Sequence, residues 1–193
     1  MKKLLIATKN VHKLEEFRAI LVNQFQLLSL FDFPDIPDIE ETGNTLEANA
    51  LIKARALFAA TVKTTISDDS GLIVNALDGQ PGVYSARYAG GNSNDKANRD
   101  LLLKNLENLS DRSAYFECCI IWKDKDVEKT FTGRLYGTIA KEEKGKNGFG
   151  YDSIFIPEGS DRTLAEYSES EKNGMSHRFL ASRELINWLS GIN

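Results

Sequence analysis

Cysteine is scarce in this chain: its 193 residues contain two, Cys118 and Cys119, side by side in an apolar run. Adjacent thiols have no metal-ligand spacing and build no disulfide framework, so both read as buried free thiols. Proline is nearly as rare, with four residues, and no Pro-rich, repetitive or low-complexity tract marks a domain boundary. A single domain over residues 1–193 is therefore expected, long enough to bury one core without metal or disulfide staples. No apolar run approaches the roughly 20 residues that span a bilayer. The Met1-Lys2-Lys3 start meets only a handful of apolar residues before Lys9, so a cytoplasmic chain with no membrane partner is expected. A basic excess is missing too. The formal net charge of −4 argues against a nucleic-acid partner, because phosphate-tracking surfaces carry surplus Lys and Arg. No G-x-x-x-x-G-K-[ST] loop occurs.

What is present is acid in an unusual place. Ser67-Asp68-Asp69-Ser70-Gly71-Leu72 follows a β-branched run, 62–66, that reads as a strand. Two adjacent acids at a strand end, released into a Gly turn, resist burial unless a cation or a proton transfer uses them. The segment reads as a metal or general-base site, with a solvated acidic turn as the alternative. A second acidic stretch holds Asp35, Asp38, Glu40 and Glu41. After it, Thr45-Leu46-Glu47 opens a helix with Leu46, Ala50, Ala54 and Leu57 on one face. Asn49 and Lys53, at i and i+4, point from a neighbouring face toward one cleft.

Near the N-terminus, Leu4-Leu5-Ile6-Ala7 reads as a buried strand running through Thr8, Lys9, Asn10, Val11, His12 and Lys13 into a helix that buries Leu14, Phe17 and Leu21. Strand, polar turn and helix start leave backbone N–H groups beside Lys9 and Lys13, an arrangement that attracts phosphate; a plain basic first turn is the alternative. Further on, Asn147-Gly148-Phe149-Gly150-Tyr151-Asp152 sets glycines on both sides of a ring. Lys172 and Ser176-His177-Arg178 follow. The glycines allow close approach to a flat ligand and Phe149 offers a stacking face. Lys172, His177 and Arg178 supply donors, suited to a keto-bearing base.

The remaining segments read as a second strand over 25–33, a helix over 94–109 that buries Leu102, Leu106 and Leu109, and a hairpin of 114–123 and 127–138. A short strand lies at 153–156, and a last helix capped by Ser176 runs to about Ser190. Helices and strands alternate with at least one antiparallel pair, so the expected class is α/β with a mixed sheet. Trp122 and Trp188 read as core or interface.

Taken together, the segments resemble the Ham1-like non-canonical purine nucleoside triphosphate pyrophosphatases. The resemblance rests on T-x-N-x-x-K at 8–13, E-E-T-G at 40–43, E-x-N-A-x-x-K-A at 47–54, D-D-S-G-L at 68–72, P-G-x-x-S-A-R-Y at 81–88, G-F-G-Y-D at 148–152 and S-H-R at 176–178. Two departures stand out. Gly145-Lys146-Asn147-Gly148 replaces the usual run of small residues, and Ser153 stands where a proline commonly follows Tyr-Asp. Both bear on the stiffness of the loop around Phe149.

The resemblance implies a twisted mixed sheet flanked by helices, with two lobes around a central nucleotide cleft. It implies hydrolysis of inosine, deoxyinosine and xanthosine triphosphates to monophosphate and pyrophosphate, with Mg²⁺ as cofactor and a homodimer joined through the 81–88 turn and the hairpin. Asp69 would be the proton acceptor and, with Glu41, a metal ligand; Glu40 and Asp68 would act indirectly. Lys13 and Lys53, with Ser70 and the loop of Thr8, Lys9, Asn10, Val11 and His12, would take the triphosphate. Phe149, Gly150, Tyr151, Asp152, Lys172, His177 and Arg178 would take the base. The rival enzyme class is the Maf-like pyrophosphatases, which lack the G-F-G-Y-D and S-H-R pair. The rival outside enzymes is a catalytically silent purine-nucleotide-binding module.

Overall fold

The structure, a computed structural model, describes residues 2–21, 24–91 and 94–191. Six strands form one sheet: β1 (Lys2–Ile6), β2 (Phe25–Ser29), β3 (Thr65–Val74), β4 (Ser113–Lys123), β5 (Glu128–Ile139) and β6 (Phe155–Pro157), in the order β2-β1-β3-β4-β5-β6. β1 runs parallel to β2 and β3, while β5 and β6 are antiparallel. The sheet is therefore mixed, and the protein is α/β. The helices are α1 (Val11–Leu21), α2 (Leu46–Thr61), α3 (Asp95–Asn105), α4 (Glu169–Asn173) and α5 (His177–Ser190). No helix among the described residues is long and apolar enough to cross a membrane.

The chain divides into two compact units. One comprises Met1–Asp69, Cys118–Gly133 and Arg178–Asn193; the other comprises Ser70–Glu117 and Arg134–His177. In the first unit, Leu4, Ile6 and Ile66 of the sheet pack with Phe17 of α1 and Ala181 and Leu185 of α5, and Cys118 and Trp122 join them. Trp122 meets Trp188 edge-on, with ring centroids 5.7 Å apart. In the second unit, Leu72, Val74, Phe116, Tyr151, Phe155 and the α3 residue Leu102 make the core. Both cysteines are buried and form no disulfide.

Local signals set most element ends. The Thr45 hydroxyl accepts from the Ala48 N–H at 3.1 Å and caps α2, whose Leu46, Ala50, Ala54 and Leu57 are all buried. Between β4 and β5, the Asp124 carboxylate accepts from the Asp126 and Val127 N–H groups at 2.8 and 2.7 Å, so an aspartate side chain shapes the tight turn of the hairpin.

Four expectations change. The strand expected at 62–66 begins at Thr65, because Val62 closes α2 in the left-handed region with φ 53°. The apolar stretch 25–33 stays a strand only to Ser29, after which Ser29 and Asp32 cap a single helical turn. α3 ends at Asn105, leaving Leu109 39% exposed instead of buried. Most consequential, the Asp68-Asp69 pair lies inside β3 and not in a turn after it. Gly71 continues the strand; a Cβ there would sit 2.3 Å from the Gly82 carbonyl oxygen, so glycine serves close backbone approach and not chain reversal. Gly71→Ala should lower unfolding free energy by about 1–3 kcal/mol through overpacking, read from urea denaturation; an unchanged midpoint would mean that the two backbone segments separate without cost.

Candidate active site

In β3 successive side chains leave opposite faces, so the pleat divides Asp68 from Asp69. Ile66 and Asp68 share the face covered by α1 and α5, and Ser67 and Asp69 share the face covered by α2, where the Ser67 hydroxyl donates to the Ala50 carbonyl at 2.6 Å.

On the α2 face, Asn49 aligns Asp69. Its amide oxygen accepts from the Gly43 N–H at 2.8 Å, and its amide nitrogen donates to Asp69 Oδ2 at 3.2 Å. A Cβ on Gly43 would lie 2.7 Å from that amide oxygen, which explains glycine at 43. Lys53, one turn along α2, places Nζ 3.1 Å from Glu41 Oε1 and 3.8 Å from Asp69 Oδ1. Burial raises the Asp69 pKa; Lys53 and Lys13 oppose the shift and Glu41 adds to it, leaving the carboxyl above its ordinary value and a stronger base when ionised.

The other face holds a buried charge set. Lys13 Nζ lies 3.0 Å from Asp68 Oδ2, and Arg178 donates to the same oxygen from Nε at 3.2 Å and Nη2 at 3.0 Å. Arg178 also bonds Glu16. Two cations and two carboxylates balance, with Arg178 and Asp68 each 1% exposed and Glu16 5%. Burial opposes ionisation of Asp68, but Lys13 and Arg178 hold its carboxyl well below the usual range. Burial likewise opposes the charge on Lys13, and Asp68 more than compensates, so its pKa rises. The Cys118 thiol lies 4.0 Å from the same Asp68 oxygen.

The loop before α1 spends part of its donor set internally. The Asn10 N–H donates to the Thr8 hydroxyl at 3.0 Å and the Lys13 N–H to the Asn10 amide oxygen at 3.2 Å. Two of the N–H groups expected to meet phosphate are thereby engaged. Lys9 makes an exposed pair with Asp38 at 2.5 Å, and Val11 and His12 are exposed.

A second group lies wholly in the other unit. Asp152 Oδ2 accepts from the Phe149 N–H at 3.0 Å and from Lys172 Nζ at 2.7 Å. Lys172 Nζ stands 4.6 Å from the Phe149 ring centroid, a cation over a ring. Gly148 has φ 76°, and a Cβ there would strike Asp152 Oδ2 at 2.1 Å. Tyr151 is buried in the core with its hydroxyl donating to the Ser85 carbonyl at 2.8 Å, and burial raises its pKa. It anchors the loop from beneath. The His177 ring stacks on Phe116 with centroids 4.9 Å apart. Ser70, at the start of this unit, is half-buried.

Arg178, the residue after His177, belongs to the first unit. Sequence reasoning assigns it to the base with Lys172 and His177, and its guanidinium pairs with Asp68 and Glu16 in the first unit. The reason is electrostatic: Asp68, buried on the α5 face, needs a partner that stays charged, and Arg178 is in reach. Asp68 pairs with both Lys13 and Arg178. Glu16 was not foreseen; its signal was the i+3 spacing from Lys13 on one helix. α4 was also missed, although Ser168-x-x-Glu171 is a visible capping box.

Among the described residues no three His, Cys, Asp or Glu side chains form a metal-binding group. Two carboxylates, Glu41 and Asp69, do share one cation, Lys53. That donor set fits Mg²⁺, a hard ion that takes one or two carboxylates and completes its shell with water and phosphate oxygens.

The mixed six-stranded sheet with flanking helices defines an α/β protein with the fold seen in solved Ham1 proteins. The Ham1 family model matches residues 4–188, and the chain belongs to that family. The chain is 49% identical over 189 residues to a dITP/XTP pyrophosphatase of Bacillus licheniformis, covering 96% of each, and 45% identical over 193 residues to one of Halalkalibacterium halodurans, covering 98% of this chain and 100% of that one. The Staphylococcus aureus Ham1 protein superposes with a TM-score of 0.92 at 42% identity over 100% of both chains. A Ham1 protein from Coxiella burnetii gives 0.92 at 40% identity over 99% of this chain and 100% of that one.

Arg178→Ala should cost about 3–5 kcal/mol of stability by leaving Asp68 and Glu16 buried without their cation. Equilibrium urea unfolding measures it, and a loss under about 1 kcal/mol would mean that water or Lys13 already satisfies both acids.

Proposed function

We propose that this chain hydrolyses non-canonical purine nucleoside triphosphates, those of inosine, deoxyinosine and xanthosine, to the monophosphate and pyrophosphate. The observation that carries the reading is the aligned Asp69: a strand carboxylate with one oxygen held by Asn49, the other beside Lys53, and a raised pKa. Such a group orients water and accepts its proton as attack on the α phosphorus begins. Lys53 and Lys13 offset the charge on the phosphate oxygens. Glu41 and Asp69 would hold Mg²⁺, which when bound adds positive charge at the phosphoryl oxygens.

For the base, Phe149 offers a stacking face and Lys172 a donor for a keto oxygen at purine C6. An amino group at C6 is itself a donor and would leave Lys172 without an acceptor, so adenine is disfavoured. Arg178, expected at the base as well, would add a second donor for a keto oxygen, and Lys172 with its partner Asp152 stands beside the Phe149 ring. The homodimer belongs to the same proposal. Tyr84 in the 81–88 turn and Tyr136 in β5 are 56% and 50% exposed, which supports the surface expected from sequence.

Incubation with inosine triphosphate should release pyrophosphate and inosine monophosphate in one step; inosine diphosphate as first product would place the attack elsewhere and refute the assignment. Asp69→Asn should retain triphosphate affinity and slow turnover by at least about a thousandfold, since it removes both a base and a metal charge. Binding without turnover by the unaltered protein would establish the silent module instead. Chelation of divalent ions should abolish pyrophosphate release, and activity that survives chelation would remove the metal role of Glu41 and Asp69.

A further inference from the structure

The loop that carries Phe149 contains its own weak point. Gly150 adopts φ 60° with nothing within 4 Å of where a Cβ would be, so no side chain of its own restrains it. A free glycine next to a stacking ring would let the ring wander and charge its ordering to every binding event. The structure restrains it through the backbone. Asp95 Oδ2 accepts from the Gly150 N–H at 2.7 Å, and Arg99 Nη1 donates to the Gly150 carbonyl at 2.8 Å. Asp95 and Arg99 stand at i and i+4 on α3 and present their ends together. Arg99 is braced in turn: its Nε donates to Glu143 Oε2 at 2.9 Å, and the Ser153 hydroxyl donates to that same oxygen at 2.9 Å. Ser153 is the residue that stands in for the usual proline. All five residues belong to one unit.

We propose that Asp95 and Arg99 are positioning residues for the purine, with Glu143 and Ser153 as their brace. By gripping both polar groups of Gly150 with charge-assisted hydrogen bonds they preset the Phe149 ring for stacking. Hydrogen bonding from α3 supplies the stiffness that proline and small residues supply elsewhere. The inference rests on the function proposed above. It predicts a specific kinetic signature, because a preset stacking ring favours bound substrate and transition state alike and so appears in KM and not in kcat.

The test is steady-state hydrolysis of inosine triphosphate by the whole protein and its Arg99→Ala, Arg99→Lys and Glu143→Gln variants, with competition by inorganic tripolyphosphate, a probe that has no base. Arg99→Ala should raise KM about tenfold with kcat within about twofold, and leave the tripolyphosphate inhibition constant unchanged. Arg99→Lys should recover part of the KM. Glu143→Gln keeps the Arg99 bond to Gly150 but loosens the guanidinium, and should raise KM by roughly two- to threefold; it decides the matter if Arg99→Ala does not fold. An unmoved KM in both Arg99→Ala and Glu143→Gln overturns the proposal. So does a parallel fall in kcat with weaker tripolyphosphate inhibition, which would mark diffuse damage. Failure of the unaltered protein to release pyrophosphate overturns the functional reading itself, a result distinct from an active protein whose variants keep their KM.

Discussion

The pleat of β3 is the constraint on which the first unit depends. Two consecutive aspartates in an extended strand cannot share an environment, and here each is drawn to the helices on its own side. Asp69 meets Asn49 and Lys53 of α2, and Asp68 meets Lys13 of α1 and Arg178 of α5. One carboxylate becomes more basic and the other is held ionised. Environments that push two neighbouring acids in opposite directions set them apart: Asp68 is a structural acid that ties α1 and α5 to the strand, and Asp69 is left the more basic of the two. The register of β3 against β1, with Ile6 opposite Ile66, keeps this assignment, since a one-residue slip would exchange the two faces.

The structural acid constrains the helices around it. Asp68, Glu16, Lys13 and Arg178 are too deeply placed to be solvated singly, and each cation is held by a carboxylate. Such sets contribute little net stability when complete and destabilise strongly when one member is lost. Their value here is geometric. Lys13 is pinned by its ammonium beside the loop that begins at Thr8, and α1 and α5 are tied to the same strand residue.

How far the sequence could be read depended on whether a signal was local. Helix caps such as Thr45, the Asp124 turn of the hairpin and the alternating strands of the sheet are written in adjacent residues, and the α/β class followed from them. Phe149, Asp152 and Lys172 were gathered from motifs alone, and the structure brings them together. The ion pairs of Arg178 escaped notice for a reason no local pattern carries. Its neighbours in sequence suggest the base, and its partners Asp68 and Glu16 lie 110 and 162 residues away along the chain. The turn expected at Gly71 does not form. Glycine after two acids resembles a turn, and only the approach of the Gly82 carbonyl reveals a strand that needs room. Asp95 and Arg99 were invisible because they act on the backbone of Gly150, which no side-chain motif records.

The five-residue α4 is shorter than a helix that holds itself together. Its first turn is closed by Ser168 and Glu171, with the Ser168 N–H donating to the glutamate at 2.8 Å, and Lys172 is the next residue along. Ser168 is exposed, so it lies open to drift in a way that the buried Lys172 does not. Exchange of that serine for a residue unable to cap would loosen the aim of Lys172 while leaving every residue around Phe149 in place. The pairing of Lys172 with Asp152 is thus adjustable by degrees from an exposed residue, without a change to either partner.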